Sequence, residues 1–257
     1  MKTVPFKDYE SNKLPLGIVI DGKIHRDFEY KKMTGKLRSE LGARVRKKGT
    51  KDMMSFVLSG IITKIGPIEK PTQKQLQSLS FVDKDYILYM LNKDSQKKDI
   101  AEYPANCQGC GEKMEFPVNF NEVEITYAEE ADYKIDGDRV YFETKVDDKP
   151  LSFYIPTIGS DESFAGEEKD FFGKEHHILS TCLREFDDNT NWTVGAIEEM
   201  DADTIDEIIS AIDQFKLGPD VIFLVSCPHE ECRFENRIEM DLTSFFVTPL
   251  RRNILSM

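Results

Sequence analysis

The sequence predicts an α+β protein. Three observations carry that reading: β-rich runs flanking Asp-Gly turns, apolar stripes at helical spacing, and two cysteine pairs each set between two strand-like runs. An N-terminal hairpin and helices precede two units of the order helix, strand, Cys pair, strand. The expected regions are a basic hairpin and helical part over 1–75, a helix with the first pair over 76–120, an acidic β-rich insertion over 121–200, and a helix with the second pair and a C-terminal tail over 201–257.

Leu14 to Tyr30 holds two β-rich runs around Asp21-Gly22, a dipeptide suited to the φ > 0 positions of a tight turn, and predicts a hairpin. Thr34 is placed to cap a helix over Lys36 to Lys48, ended by Gly49, and Thr50 to cap the next. In that second helix Met53, Met54, Val57, Leu58, Ile61, Ile62 and Ile65 make one apolar stripe, read as core and closed by Gly66-Pro67. A polar connector runs to Lys74. Leu79 to Leu91 reads as a buried helix and Asn92 to Asp99 as a loop.

Beyond the first Cys pair, alternation in VEITY, RVYFETKV and LSFYIP predicts strands, with turns at Asp136-Gly137 and Asp147-Asp148. Gly159 to Gly173 reads as a long exposed loop. Ala202 to Phe215 reads as a helix stopped before Gly218-Pro219, followed by the apolar strand VIFLVS and the strand RFENRIEMDL. The order found around 79–120 therefore recurs around 202–242, offset by 120 to 122 residues at the cysteines.

The composition, 40% hydrophobic and 32% charged over 257 residues, is that of a soluble globular chain with a real core. No run approaches the roughly 18 apolar residues of a membrane span, and MKTVPFKDYE lacks a signal-like stretch, so a cytosolic protein without a membrane partner is expected. A formal charge of -13 argues against nucleic acid as the main partner. The charge is unevenly placed. Residues 1–75 hold 17 basic and 8 acidic side chains, whereas 121–214 hold 26 acidic and 7 basic. These are either solvated faces of separate subdomains or complementary surfaces that steer contacts within the molecule or between subunits, so self-association is a further expectation.

Four of the five cysteines form the pairs Cys107-Gln-Gly-Cys110, followed by Gly111, and Cys227-Pro-His-Glu-Glu-Cys232. A Cys-x-x-Cys between two strands makes a knuckle: its turn aims both thiolates at one point, backbone N–H groups hold the sulfurs, and the next residue takes a conformation that glycine adopts at least cost. Two knuckles complete a tetrahedral thiolate site. The candidate metal ligands are thus Cys107, Cys110, Cys227 and Cys232, and the candidate cofactor is a structural zinc ion, Zn2+. Three other readings stay open. A thioredoxin-like redox pair would need a helix where 113–120 looks extended; buried free thiols fit the four residues inside the second pair; and His229 could replace one cysteine. Cys182 reads as a core thiol.

No catalytic constellation emerges. The chain has no G-x-x-x-x-G-K-[ST], G-x-G-x-x-G, H-E-x-x-H or G-x-S-x-G motif. His176-His177 reads as a solvated turn, and Asp187-Asp188 and Asp201-Ala-Asp203 as helix N-caps. A four-thiolate site leaves no open position for hydrolysis. A non-enzymatic protein is expected.

The order of these parts resembles a known family. Leu14-Pro15, Asp21-Gly22, Met33-Thr34-Gly35, Cys107-Gln-Gly-Cys110-Gly111, Cys227-Pro228 and Phe245-Phe246-Val-Thr-Pro249 follow one another as in the baseplate hub and hub-assembly proteins of T4-type contractile-tailed phages, over residues 14 to 249. The four-residue gap in the second pair departs from the pattern. The resemblance implies a structural or assembly component of the baseplate hub, bound to other baseplate and tail proteins, in the virion tail or in the host cytoplasm during assembly. The N-terminal part also resembles tail assembly chaperones of other phages, which implies a transient factor instead. A zinc-ribbon adaptor unrelated to phage is the third reading. Phe245, Phe246, Ile254 and Leu255 are either a contact tail or a strand on the protein's own core.

Overall fold

The computed structural model describes residues 2–5, 12–48, 52–95, 99–164 and 171–242. Gly49, Thr50, Phe245, Phe246, Pro249, Ile254 and Leu255 lie outside them. In chain order the elements are β1 Lys2–Pro5, β2 Lys13–Ile20, β3 Lys23–Tyr30, α1 Gly35–Lys48, α2 Met53–Ile61, β4 Ile62–Ile65, β5 Ile68–Glu69, α3 Gln73–Leu76 and α4 Phe81–Ser95. Then follow β6 Ile100–Asn106, β7 Lys113–Asn119, β8 Glu124–Tyr127, β9 Lys134–Asp136, β10 Arg139–Val146, β11 Lys149–Tyr154, α5 Ile158–Phe164, α6 Phe171–Cys182 and β12 Leu183–Phe186. The last are α7 Val194–Glu198, α8 Ala202–Asp213, β13 Gly218–Pro219, β14 Ile222–Ser226 and β15 Glu235–Glu239. Helices and strands are both present, and the pairs β2–β3, β10–β11, β6–β7 and β14–β15 are antiparallel, which fits the α+β class.

The chain forms two compact units. One comprises Met1–Lys2, Glu10–Lys84 and Tyr127–Gly218; the other comprises Thr3–Tyr9, Asp85–Thr126 and Pro219–Met257.

In the first unit the hairpin β2–β3 turns at Asp21 and Gly22, both at positive φ, 51° and 71°. Thr34 caps α1, its hydroxyl accepting the Leu37 N–H at 3.2 Å. The apolar stripe starting at Met53 does not stay helical. Helix α2 stops at Ile61, and Ile62 to Ile65 pair with β3, because the β-branched run finds an open strand edge that buries Ile62 and Ile65. The polar connector after Gly66 holds β5 and the short α3, closed by a capping box between Thr72 and Gln75. Strands β9 to β12 form a second sheet in the order β12-β11-β10-β9, with turns at Gly137 and at Asp147-Asp148. Its core stacks Phe142 on Phe153, with Phe215 edge-on to both.

Three expectations change here. Gly159 to Phe164 is helix α5, started by a reciprocal pair in which Ser160 N–H meets the Thr157 hydroxyl at 3.3 Å and Thr157 N–H meets the Ser160 hydroxyl at 2.9 Å. His176 and His177 lie on α6 rather than in a turn, and His177 Nε2 is 3.0 Å from the Ser163 hydroxyl. Asp187 and Asp188 are no N-cap; both sit at positive φ after β12, and Asp187 pairs with Lys149 at 2.8 Å. Asp201 does cap α8, accepting the Asp203 N–H.

A buried carboxylate fastens β2. Asp83 accepts the Leu16 N–H at 2.9 Å, the Gly17 N–H at 3.0 Å and the Ser80 hydroxyl at 2.8 Å. This serves the irregularity between Lys13 and Ile18, where Gly17 holds φ 88° and a Cβ would meet the His25 carbonyl oxygen at 2.7 Å. Burial pushes the Asp83 carboxyl above 3.8, against the lowering by Leu16, Ser80, Gly17 and Arg26.

In the second unit, the middle of α4 is buried on every side, with Tyr86, Ile87, Leu88 and Tyr89 at 0% exposure. The Tyr89 hydroxyl donates to the Phe120 carbonyl, and the Asn92 amide donates to the Leu242 carbonyl at 3.0 Å. Two antiparallel hairpins follow, β6–β7 and β14–β15. A run of ring contacts, Tyr89 to Phe120 to Tyr103 to Phe116 to Phe223, joins α4 to both. The second helix–strand–Cys pair–strand unit does not form as such. Its helix, α8, buries Ile205, Ile208 and Ala211 in the core of the first unit, while β14–β15 belongs to the second.

Replacing Asp83 by Ala leaves two buried N–H groups without an acceptor, at about 1–3 kcal/mol each, so urea unfolding should show a loss of about 3 kcal/mol. A raised folded pKa means that the native state holds this proton more tightly than the unfolded chain. The Asp83 contribution is therefore greatest below 3.8 and declines as pH rises through the folded value, and Asp83→Ala should flatten that part of the stability profile.

Candidate metal centre

The two hairpins bring the cysteine pairs together. The Sγ atoms of Cys107, Cys110, Cys227 and Cys232 all lie within 4.8 Å of one another and could hold a metal ion. Cys107 is 3.8 Å from Cys232, and Cys110 is 3.8 Å from Cys227, each contact crossing from one knuckle to the other. Four sulfurs bound tetrahedrally at about 2.3 Å stand about 3.8 Å apart, so the spacing fits such an ion. None of the five cysteines is in a disulfide.

The first knuckle is built by backbone bonds. Cys107 N–H donates to the Glu112 carbonyl and Gly111 N–H to the Cys107 carbonyl, each at 2.8 Å, while Gly109 N–H points to Cys107 Sγ at 3.3 Å. The second knuckle reaches a similar end despite its longer spacing. Cys227 N–H donates to the Phe234 carbonyl at 2.8 Å, and the N–H groups of Cys232 and Arg233 converge on the His229 carbonyl at 3.0 and 3.1 Å. In both, the residue after the second cysteine is left-handed: Gly111 at φ 76° and Arg233 at φ 45°. Arginine there carries the cost that glycine avoids in the first knuckle. Phe234 lies over Gly109, where a Cβ would come within 2.7 Å of the Phe234 Cβ.

One buried side chain ties the knuckles together. Asn236, at 0% exposure, accepts the Gln108 N–H at 2.7 Å and donates to the carbonyls of Val225 at 3.2 Å and Phe234 at 3.1 Å. Every polar atom of its amide is therefore used, on both sides of the cluster. The Cys107 thiol is pulled down to about 6, first by the Cys110 N–H and then by the Gly109 N–H and Asn236. Burial pushes the Cys227 thiol up to about 12. A low-pKa thiolate facing a protonated thiol is what four sulfurs do when they crowd one another; a cation among them would draw the remaining protons off.

Sequence reasoning named all four cysteines but missed Asn236, whose only trace is a polar residue at the inward register of β15. Cys182 is buried, and burial raises its thiol to about 11.

Two hairpins clasped by four cysteines within an α+β chain describe a structural module. The chain belongs to the family of T4 bacteriophage base plate proteins, whose model matches residues 7–247. No curated protein and no solved structure matches it. Membership makes this a phage baseplate protein, in contact with other phage structural proteins, and removes the reading as an adaptor unrelated to phage. No helix among the described residues is long and apolar enough to cross a membrane.

Asn236→Ala strands the Gln108 N–H, and it should lower stability by about 1–3 kcal/mol in chemical denaturation. Gly111→Ala should cost about 1 kcal/mol because of its left-handed backbone, whereas Arg233→Gly should be neutral or stabilising; matched thermal melts of the two variants check the contrast.

Proposed function

We propose that the chain is a structural or assembly component of the baseplate hub that works through protein contacts and performs no catalysis. The Zn2+ ion is structural and is held by Cys107, Cys110, Cys227 and Cys232. Two findings support this reading: the family match over nearly the whole chain, and the convergence of four thiols at tetrahedral spacing from segments about 120 residues apart. The donor set is four soft thiolate sulfurs with no position left open for water or substrate, which suits a non-redox structural ion better than a catalytic one. Such a clasp gives a small module the rigidity that docking among subunits requires, since a pre-ordered surface loses less entropy on binding.

Metal analysis of the purified protein should give about one zinc per chain. Chelation, or Cys107→Ser, should lower the melting temperature by roughly 10 °C, at 2–4 °C per kcal/mol for a chain of this length. A metal-free preparation that melts no earlier contradicts the structural ion. Location is tested separately, by cross-linking and mass spectrometry of purified virions: the chain should be present and linked to central baseplate proteins. Absence from mature virions would instead identify a transient assembly chaperone.

A further inference from the structure

Several exposed carboxylates of the first unit have a basic partner: Glu29 has Lys64, Asp136 has Arg184, Glu143 has Lys134, and Asp161 has Lys174. Helices α7 and α8 differ. Glu198, Glu199, Asp201, Asp203, Asp206 and Glu207 are exposed, and none has an ion-pair partner among the described residues. From Phe186 to Phe215 the sequence holds nine acidic residues and not one Lys or Arg. This face adjoins an apolar groove of about 370 Å³ between α6 and α8, walled by Ile178, Leu179, Ile209 and Ile212. An apolar floor with a charged rim is the make-up of an interface.

The complement lies on the same unit. From Lys31 to Lys51 there are nine basic residues against the single acid Glu40. Lys31, Lys32, Arg46 and Lys47, on α1 and just before it, are exposed and carry no ion pair among the described residues, while Lys36 reaches only its own-helix neighbour Glu40, at 3.9 Å. Bare like charges on one face repel one another, and docking an unlike face relieves that repulsion while steering the encounter.

We infer that the acidic α7–α8 face receives the basic α1 face of a second copy of this chain. The contact joins two different patches, so successive copies add head to tail and form a ring or a short row. It rests on the assembly role proposed above and names its partner as the chain itself. A second copy is the occupant because the exposed, unpaired carboxylates of α7–α8 find on an identical molecule a surface of opposite sign, the exposed and unpaired Lys31, Lys32, Arg46 and Lys47.

The test uses full-length protein in analytical ultracentrifugation at about 50 and about 500 mM salt, concentrations that bracket strong and weak screening. Wild type should associate at low salt, with affinity falling at least about tenfold at high salt. Glu198→Lys/Asp206→Lys/Glu207→Lys and Lys32→Glu/Arg46→Glu/Lys47→Glu should each be monomeric alone, yet associate when mixed, because each reversed face then meets its opposite. Unchanged melting curves show that both variants fold. A monomeric wild type at low salt, association that survives either reversal, or a mixture that stays monomeric overturns the contact. Zinc content measured on the same samples separates the two claims: a zinc-loaded monomer removes this contact and leaves the metal centre standing.

Discussion

Four sulfurs that all lie within 4.8 Å of one another are the constraint on which the second unit depends. Each hairpin alone is two strands, too few to be stable in water, and each exposes apolar residues such as Leu224 at 71% and Ile100 at 52%. Beyond the ring contacts with α4, little apolar surface is buried between the hairpins themselves: the small cluster around Cys107, Met114 and Cys227 lies there. The cysteines therefore take the place of a larger core, as they do wherever a small module cannot bury enough surface. Because the pairs are about 120 residues apart in the chain, an ion bound by all four would also close a loop of more than a hundred residues, where a cross-link removes the most unfolded-chain entropy.

The remaining knuckle geometry follows from that demand. A sulfur must be aimed, and aiming it requires a sharp reversal after the second cysteine, which the chain achieves once with glycine and once with a left-handed arginine. The carboxamide of Asn236 then sets one reversal against the other. The first unit uses the same device in another form: Asp83, a buried acceptor, holds β2 at its irregular point. In both units a single buried polar group orders backbone that the sheet ladder cannot.

Much of this was legible in the sequence, and the failures share a cause. The turns at Asp21-Gly22, Gly137 and Asp147-Asp148, the cap at Thr34 and the existence of the buried helix through Tyr86 to Leu91 were readable because local chemistry decides them, although that helix runs on to Ser95, into the polar stretch read as a loop. The family was readable from the order of motifs. Ile62 to Ile65 was misread because a strand partner distant in sequence overrode the helical stripe. Helix α5 was hidden by an acidic, glycine-containing stretch, although Thr157 and Ser160 stand at capping distance. The parting of α8 from its neighbouring hairpin could not be seen at all, since both segments keep the expected local order and only packing decides which core each joins. At the candidate metal centre the four cysteines that converge were legible from their spacing, whereas Asn236 was not, because an inward asparagine on a short strand looks like any other polar residue until its partners are known.

The account stands on one ion bound by all four thiolates. X-ray absorption at the zinc edge of the purified protein measures this directly. The account predicts a single shell of four sulfurs at about 2.3 Å and no nitrogen or oxygen neighbour. A shell containing imidazole nitrogen or water, or fewer than four sulfurs, contradicts it, because one knuckle would then stand apart from the clasp.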